Sequence, residues 1–394
     1  MQTNKRNLAL LIAFVWASVA AFADGIRITH GPYLQNITET EATIVWTTNR
    51  VSVGWVETAP DDGSNFYARE RQRHFDSYIG IKSEDSIHSV KLVGLKPGTT
   101  YRYRIYSQEV LSHESIRVHY GDVAATDVFR HQPLRFTTAD RTKADCSFVV
   151  LNDVHACKNF ITPMLEGADW KKRDMVIYNG DMVSELNSQD DVFAAFMDES
   201  ISLFAKEKPF YYVRGNHETR GVFAPQLKRY FCPREQSLYY AVRQGPVFFI
   251  MLDSGEDKPD SDIEYAGITD YDAYRTEQAE WVKAITESED FKTAKFRICI
   301  AHIPPQSIEQ DAWHGPVEVA QKFVLALNKA GIDLMICGHL HRHEYYAPDA
   351  LHNFPVLVNS NEACAVGTVQ GGQLKVEVRD INGKTTFSRT YNAR

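Results

Sequence analysis

The sequence predicts two domains in series, an all-β sandwich followed by an α/β domain built of layered sheets and helices. The first observation is size. The chain has 394 residues, which exceeds a typical domain of about 100–200 residues, and its composition of 44% hydrophobic and 24% charged residues allows it to bury two cores. The second is a change of pattern, because short alternating segments give way to apolar strands interspersed with amphipathic helices. A polar stretch, residues 139–145, separates the two patterns and predicts the domain boundary.

The N-terminal domain, residues 24–139, is predicted to be a sandwich of short antiparallel strands. Its segments are rich in β-branched and aromatic residues and are separated by turn residues, which is typical of sandwiches. The turn at Pro97-Gly98 leads into a strand near Tyr101, and the sequence around it resembles the fibronectin type III consensus. The predicted strands are 42–47, 53–56, 88–92, 101–105 and 134–137.

The C-terminal domain, residues 140–394, is predicted to alternate strands and helices. Apolar runs separated by amphipathic segments are typical of parallel strands joined by helical crossovers. A final hairpin is expected to turn at Asn382-Gly383. The predicted strands are 147–151, 174–178, 209–213, 247–252, 296–300, 332–336, 354–358, 374–378 and 385–389.

The start of the chain, residues 1–23, predicts a cleavable secretory signal. Two basic residues precede an apolar run, residues 8–20, and an Ala-x-Ala tripeptide ends at residue 23. The run is shorter than the ~20 apolar residues that a membrane-spanning helix needs. We therefore expect a mature protein that begins at Asp24, is periplasmic or secreted, and has no membrane span.

The charge balance excludes some partners. The net charge is −8 at pH 7, and loss of the two basic residues of the signal makes it −10. An acidic protein is not attracted to nucleic acid or to anionic membranes, so no nucleic-acid binding is expected. Any affinity for phosphate would have to be built locally, for instance with metal ions.

Polar motifs follow five of the predicted strands. The carboxyl ends of parallel strands share one edge of a sheet, so side chains distant in sequence converge there. Each motif alone would be an ordinary turn or helix cap, but Asp, Asn and His together are the ligand types that Zn, Mn and Fe prefer. The sequence therefore predicts a shared metal site. The motifs are Asp153-Val154-His155, Gly180-Asp181, Gly215-Asn216-His217-Glu218, Ala301-His302 and Gly338-His339-Leu340-His341.

This set of motifs resembles that of the calcineurin-like metallophosphoesterases over residues 147–361. Ahead of it, Gly31-Pro32-Tyr33-Leu34-Gln35 and the predicted sandwich resemble the N-terminal domain of purple acid phosphatases. The resemblance implies a four-layer α/β fold, with a central β-sandwich flanked by helices. It also implies a dinuclear metal centre that hydrolyses phosphate esters.

The resemblance further implies a role for each motif residue. One ion would be held by Asp153, His155, Asp181 and His341, and the other by Asp181, Asn216, His302 and His339. The shared carboxylate of Asp181 would hold two cations at the ~3.5–4 Å separation that suits displacement at phosphorus. His217 is expected to face the phosphate as an acid or charge stabiliser, and Glu218 is expected to orient it.

Two positions depart from the purple acid phosphatase pattern. Those enzymes have Gly at the position of His155 and Tyr at the position of Ser184. The phenolate that colours them is therefore missing here, while His155 supplies a replacement ligand. Zn, Mn and Fe are therefore all candidates for the two divalent or trivalent ions.

Four further residues are candidates for substrate binding. Arg214 and Arg220 flank the Gly-Asn-His-Glu loop and are expected to pair with phosphate oxygens. His314 and His343 are expected to line the same pocket. An acidic, tyrosine-rich segment, residues 254–275, is expected to be either a lid over the substrate or a solvated surface loop.

The leading hypothesis is an exported phosphomonoesterase acting on a small-molecule phosphate ester, in which a metal-bound hydroxide attacks phosphorus in line with the leaving oxygen. A phosphodiesterase or nucleotidase is the near alternative, because selectivity lies in loops rather than in ligands. A non-catalytic surface binding protein is the alternative of another class. It is disfavoured because all seven ligand residues and His217 are present. The physiological ester and the oligomeric state remain open.

Overall fold

The computed structural model describes residues 25–127, 132–157, 159–231, 237–306 and 312–393. The predicted signal, residues 1–23, lies outside the described residues. Within the described ranges, no helix combines the length and apolar character needed to cross a membrane.

The N-terminal part is built of strands, as predicted. Seven strands form one hydrogen-bonded sheet, in which β2 pairs with β1, β3, β6 and β7, and β7 also pairs with β8 and β9. The short strands β4 and β5 pair only with each other. The strands are β1 Ile28–Gln35, β2 Glu41–Pro60, β3 Arg73–Phe75, β4 Ser77–Tyr78, β5 Ile81–Lys82, β6 Glu84–Val93, β7 Thr100–Glu114, β8 Arg117–Ala125 and β9 Leu134–Thr137.

Strand β2 differs from the expectation of two separate strands. It runs unbroken for 20 residues, and a register shift against β6 between Thr47 and Ser52 replaces the expected turn. Its first half pairs with β1 and β6, and its second half pairs mainly with β3 and β7, with β6 also paired at Ser52 and Val53. One strand thus joins two groups of strands around a shared core that includes Trp46, Val56 and Tyr103.

The C-terminal part contains two six-stranded sheets. One has the order β12-β11-β10-β19-β20-β21, and the other β13-β14-β15-β16-β18-β17. Strands β10, β11 and β12 are parallel, as are β14, β15, β16 and β18. The strands are β10 Cys146–Leu151, β11 Met175–Asn179, β12 Phe210–Val213, β13 Tyr240–Gln244, β14 Val247–Leu252, β15 Phe296–Ala301, β16 Leu334–Cys337, β17 Glu344–Tyr346, β18 Val356–Val358, β19 Ala363–Gln370, β20 Gln373–Asp380 and β21 Thr385–Asn392.

Helices cover the outer faces of both sheets. They are α1 Ile161–Gly167, α2 (189–205, alternating α- and π-turns), α3 Tyr271–Ile285, α4 Glu289–Lys292 and α5 (314–330, also with π-turns), besides the short 3₁₀ helices Trp170–Lys172, His217–Thr219, Ala224–Arg229 and Ile263–Tyr265. Successive residues of β10 point to opposite faces, so Phe148 enters the core between the sheets and Val149 the core under α1 and α2. The result is the predicted four-layer arrangement.

The two parts of the chain touch through tyrosine hydroxyls. Tyr33 donates to the carbonyl of Tyr230 at 2.8 Å, and Tyr103 donates to that of Lys206 at 2.6 Å. The predicted boundary between residues 139 and 140 falls between β9 and β10 and stays a prediction.

Candidate metal centre

Two overlapping groups of side chains lie at the carboxyl ends of β10, β11, β15 and β16. Ligand atoms of Asp153, His155, Asp181 and His341 lie within 4.8 Å of one another, and so do those of Asp181, His302 and His339. Asp181 belongs to both groups. The strands therefore bring together residues that are nearly two hundred positions apart, as their placement at strand ends predicts.

The carboxylate of Asp181 lies at the middle of this arrangement. Its Oδ2 is 3.1 Å from Nε2 of His302 and 3.9 Å from Nε2 of His155. Its Oδ1 accepts a hydrogen bond of 3.0 Å from the backbone N–H of His217. One oxygen therefore faces imidazoles on both sides, while the other fixes the neighbouring loop.

Each group has a further contact at its outer end. Oδ1 of Asp153 is 3.3 Å from Nε2 of His341, and Oδ2 accepts from the backbone N–H of His339 at 2.9 Å. Oδ1 of Asn216 is 3.1 Å from Nδ1 of His339. The amide of Asn216 therefore lies beside the second group, where the sequence predicts a ligand without charge.

The ligand loops have an unusual backbone. Asp153, His155, Asp181, His339 and His341 all have left-handed conformations, with φ between 49° and 73°. Residues other than glycine adopt this region rarely and at a cost of about 1–3 kcal/mol each. Five such residues at one site indicate that the surrounding structure holds the ligand side chains in a strained but convergent arrangement.

Asparagines that the sequence analysis did not select support these ligands. Nδ1 of His302 lies 2.7 Å from the carbonyl of Asn179, so the ring donates there and turns Nε2 toward Asp181. Asn152 donates to Oδ2 of Asp153 at 2.5 Å. Their one sequence signal is position, since each stands at the end of an apolar strand directly before a motif.

The charges of the site fit a cation. Burial lowers the pKa of His302, but Asp181 and Asp153 outweigh it and raise that pKa to about 10. Burial also raises the pKa of Asp181, but the imidazoles of His302 and His217 hold it well below its usual range. Oδ1 of Asp153 and Nε2 of His302 are buried and have no well-directed hydrogen-bond partner among the described residues. Buried oxygen and nitrogen atoms without a hydrogen-bond partner are available as metal ligands, and a set of carboxylates and imidazoles suits metal ions.

His217 stands beside the two groups rather than within them. Its Nδ1 is 2.7 Å from the carbonyl of Ser184, so the ring donates at Nδ1 and leaves Nε2 for the site, 3.9 Å from Oδ2 of Asp181. Its ring meets that of His155 edge to face, with 4.7 Å between the centroids.

Glu218 does not orient His217, contrary to expectation. Its carboxylate is buried and accepts hydrogen bonds from the backbone N–H groups of Asp181 (2.9 Å), Met182 (2.6 Å) and Gly215 (3.0 Å). Burial, followed by the nearby charge of Asp181, raises the pKa of Glu218 to about 7. The residue ties the loop after β11 to the loop after β12.

The two arginines also differ from expectation, because internal carboxylates engage them. Arg214 lies 2.9 Å from Oδ2 of the buried Asp253. Nε of Arg220 is 2.6 Å from Oε1 of Glu256, which is buried too. Partners of this kind neutralise the charges that the sequence analysis assigned to phosphate oxygens.

The two remaining histidines have partners outside the cluster. Nε2 of His314 is 2.8 Å from Asp272. His343 is hydrogen-bonded to the carbonyl of Val358 at 3.1 Å and packs against the ring of Phe387. Neither contact joins these residues to the metal-site side chains.

Comparisons with known proteins identify the family of the chain. The chain matches the family described as "Calcineurin-like phosphoesterase" over residues 146–343, and the family described as "Purple acid Phosphatase, N-terminal domain" over residues 31–119. It is 24% identical over 333 residues to probable purple acid phosphatase 20 of Arabidopsis thaliana, covering 79% of this chain and 67% of that protein. It is 22% identical over 274 residues to purple acid phosphatase 21 of the same plant, covering 66% and 54%.

The fold has a counterpart among solved structures. Purple acid phosphatase PPD1 from yellow lupin seeds superposes with a TM-score of 0.64, covering 92% of this chain and 74% of that chain at 15% identity. At that identity the likeness concerns the fold. The chain spans about two thirds of the first Arabidopsis relative and about half of the second.

Proposed function

The chain belongs to the calcineurin-like phosphoesterase family, and from that premise we propose that it is a dinuclear-metal phosphomonoesterase of small-molecule esters. The observation that carries the proposal is the pair of side-chain groups that share Asp181. The proposed ligands are Asp153, His155, Asp181 and His341 for one ion, and Asp181, Asn216, His302 and His339 for the other.

Two bound metal ions would supply positive charge to phosphate oxygens and lower the pKa of water, which the acidic chain cannot do by itself. The protein residues do the rest. Asp181 and Asp153 fix the two groups of imidazoles relative to each other. His217 keeps Nε2 directed into the site because Nδ1 is engaged by Ser184, so Nε2 can carry a proton to the leaving oxygen or stabilise charge there.

The experiment is a hydrolysis panel with the metal-free protein reconstituted separately with Zn, Mn and Fe. Monoesters, diesters and nucleotides are compared at equal concentration. We expect metal-dependent turnover with the highest kcat/KM on monoesters. Higher kcat/KM on diesters or nucleotides would shift the assignment to a phosphodiesterase or nucleotidase, and absence of turnover with every metal would overturn the proposal.

We also propose that the protein is exported to the periplasm or secreted, on the basis of residues 1–23. Intact-mass analysis of protein from its native host is expected to show a chain that begins at Asp24. A chain that retains Met1 would contradict export by cleavage.

A further inference from the structure

We propose that Asn359 is a positioning residue for the metal centre, because its amide orients the amide of Asn152, which in turn leaves Oδ1 of Asp153 for an ion. The inference rests on the ligand assignment of the proposed function, in which Asp153 holds one ion. Asn359 directly follows β18, whereas Asn152 and Asp153 follow β10, which belongs to the other sheet. All three side chains are buried. We call these three residues the amide relay.

The side-chain amide of Asn359 has one orientation that its surroundings accept. Its NH₂ group donates to Oδ1 of Asn152 and to the carbonyl of Ala363, each at 2.7 Å. A reversed amide would bring a third oxygen against these two acceptors, which repel it. Oδ1 of Asn359 is itself buried with no hydrogen-bond partner among the described residues, which costs free energy. The acceptors at the NH₂ end therefore determine the orientation.

Asn359 holds the amide of Asn152 at both ends. Oδ1 of Asn152 accepts from the side chain of Asn359, and its NH₂ group donates to the backbone carbonyl of Asn359 at 3.1 Å. The same NH₂ group donates to Oδ2 of Asp153 at 2.5 Å. A reversed Asn152 would place its own oxygen against this carboxylate. Asn359 therefore keeps Asn152 a hydrogen-bond donor to Asp153.

The amide relay gives the two oxygens of Asp153 different roles. Oδ2 accepts a second hydrogen bond, from the backbone N–H of His339 at 2.9 Å. A Cβ atom at Gly338 would lie 2.7 Å from Oδ2, so the loop after β16 also closes against this oxygen. Oδ1 is buried, has no well-directed hydrogen-bond partner among the described residues, and lies 3.3 Å from Nε2 of His341. One oxygen thus binds the protein, and the other is left for the ion.

The physical consequence is confined to the ion that Asp153 holds. Removal of a partner that orients a metal ligand typically weakens metal binding ~10- to 100-fold. Without the amide of Asn359, Asn152 is free to turn and Asp153 loses its fixed orientation. The second ion depends on Asn216, His302 and His339, whose side chains have no hydrogen bond to Asn359 among the described contacts.

The test is calorimetric titration of the metal-free protein with Mn²⁺ and, separately, with Zn²⁺. Two reference variants assign the binding steps, because His341→Ala removes a proposed ligand of one ion and Asn216→Ala removes a proposed ligand of the other. We expect Asn359→Ala to weaken the step that is missing in His341→Ala at least ~10-fold. The step that is missing in Asn216→Ala is expected to change much less.

A double-mutant cycle separates positioning from a general loss of structure. Asn152→Ala is expected to weaken the same step as Asn359→Ala, and the double variant is expected to bind no more weakly than Asn152→Ala, because Asn359 acts through Asn152. The matched control is Asn328→Ala. The amide of Asn328 also joins two segments, since it donates to the carbonyl of Leu351 at 2.9 Å and accepts from the N–H of Asn353 at 2.8 Å. This control is expected to leave both steps unchanged.

Asn359→Ser replaces Asn359→Ala if the alanine variant does not fold. The serine hydroxyl can still bond the nearby carbonyl of Ser360 or Ala363. It is one bond shorter than the amide, so it is expected to lose the contact with Asn152 and to weaken the same step.

The outcomes distinguish the inference from the proposed function. Two ions in the wild type and one in His341→Ala, with unchanged affinities in the Asn359 variant, would overturn the amide relay alone. Equal weakening of both steps, or additive effects of the two alanine substitutions, would also overturn it. Fewer than two ions in the wild type, or two in His341→Ala, would overturn the ligand assignment of the proposed function and the amide relay with it.

Discussion

At the scale of single residues, Glu218 holds the centre of the site together without facing the substrate. Three backbone N–H groups from two loops converge on its carboxylate, so Asp181 and Gly215 keep their relative position through one buried side chain. Asp181 is one of the left-handed ligand residues, so this contact helps to hold its strained backbone in place.

Glu218→Gln is expected to weaken this link. An amide NH₂ would meet at least one N–H donor, so the variant is expected to lose about 1–3 kcal/mol of unfolding free energy and to bind metal more weakly. Urea unfolding and metal titration measure the two effects, with Glu166→Gln as the control. Unchanged stability and metal affinity would show that the hydrogen bonds of Glu218 are not needed.

Residue types at strand ends could be predicted from sequence, but their partners could not. Carboxylates and imidazoles after apolar strands indicate a metal site because strand ends converge. The partner of Arg214 is Asp253, which follows a strand of the other sheet, and the partners of Glu218 are backbone groups. Such contacts depend on how distant segments pack, and no local pattern marks them.

At the scale of elements, the loops after β11 and β12 pack with almost no space between them. A Cβ atom at Gly215 would lie 2.2 Å from Oδ1 of Asp181, and one at Gly180 would lie 2.5 Å from Nδ1 of His302. Both glycines are therefore required by close approach. Each glycine taken alone would be an ordinary turn residue, and no local pattern indicates this close approach.

Gly215→Ala is expected to displace the carboxylate of Asp181 and to lower the metal content together with the activity. The physical reason is overlap, because a contact of 2.2 Å cannot be accommodated without movement of the loop. Elemental analysis and kcat of the reconstituted variant measure the effect. Gly25→Ala is the control, because a Cβ there would come no nearer than 3.9 Å to another residue and its φ is not left-handed, as is also the case for the φ of Gly215.

The acidic segment 254–275 is buried at residues 254–257, whereas most of residues 261–270 are exposed. Its residue Glu256 is buried, accepts a hydrogen bond of 2.8 Å from Thr219 and pairs with Arg220. The segment is therefore anchored to the loop that carries His217. Its charge count suggested solvation, and the burial of Glu256 beside the half-buried Arg220 changes that interpretation at this residue.

At the scale of the whole molecule, the fold class was predictable because hydrophobic periodicity changes from one domain to the other. The length of β2 was not, since residues Asn49 and Arg50 resemble a turn but remain extended. The contacts between the two parts, such as Tyr33 with Tyr230, also lie beyond local patterns.

Stability is expected to depend on pH through His88, which is buried in the N-terminal core and hydrogen-bonded to Ser52 at 2.8 Å. Burial lowers its pKa from 6.5 to about 4. The unfolded chain therefore binds the proton more tightly than the folded one. The contribution of His88 to the free energy of unfolding is fully present above pH 6.5. It is lost as the pH drops from 6.5 to about 4, and the loss amounts to about 3 kcal/mol.

Urea unfolding at pH 7 and at pH 4 measures this loss in the wild type and in His88→Gln. The variant is expected to have a smaller difference between the two pH values, because glutamine does not titrate. An equal difference in both proteins would assign the acid sensitivity to other groups.

The central claim is that the two groups sharing Asp181 hold metal, while His217 acts on the substrate. The most direct measurement is metal content and kcat for the wild type, His217→Ala and Asp181→Asn after identical reconstitution. We expect two ions per chain in the wild type and in His217→Ala, with kcat in the latter lowered ~10²- to 10⁴-fold. Asp181→Asn is expected to lose both metal and activity. Loss of an ion in His217→Ala, or near-full turnover by that variant, would contradict the division between ligands and catalytic residue.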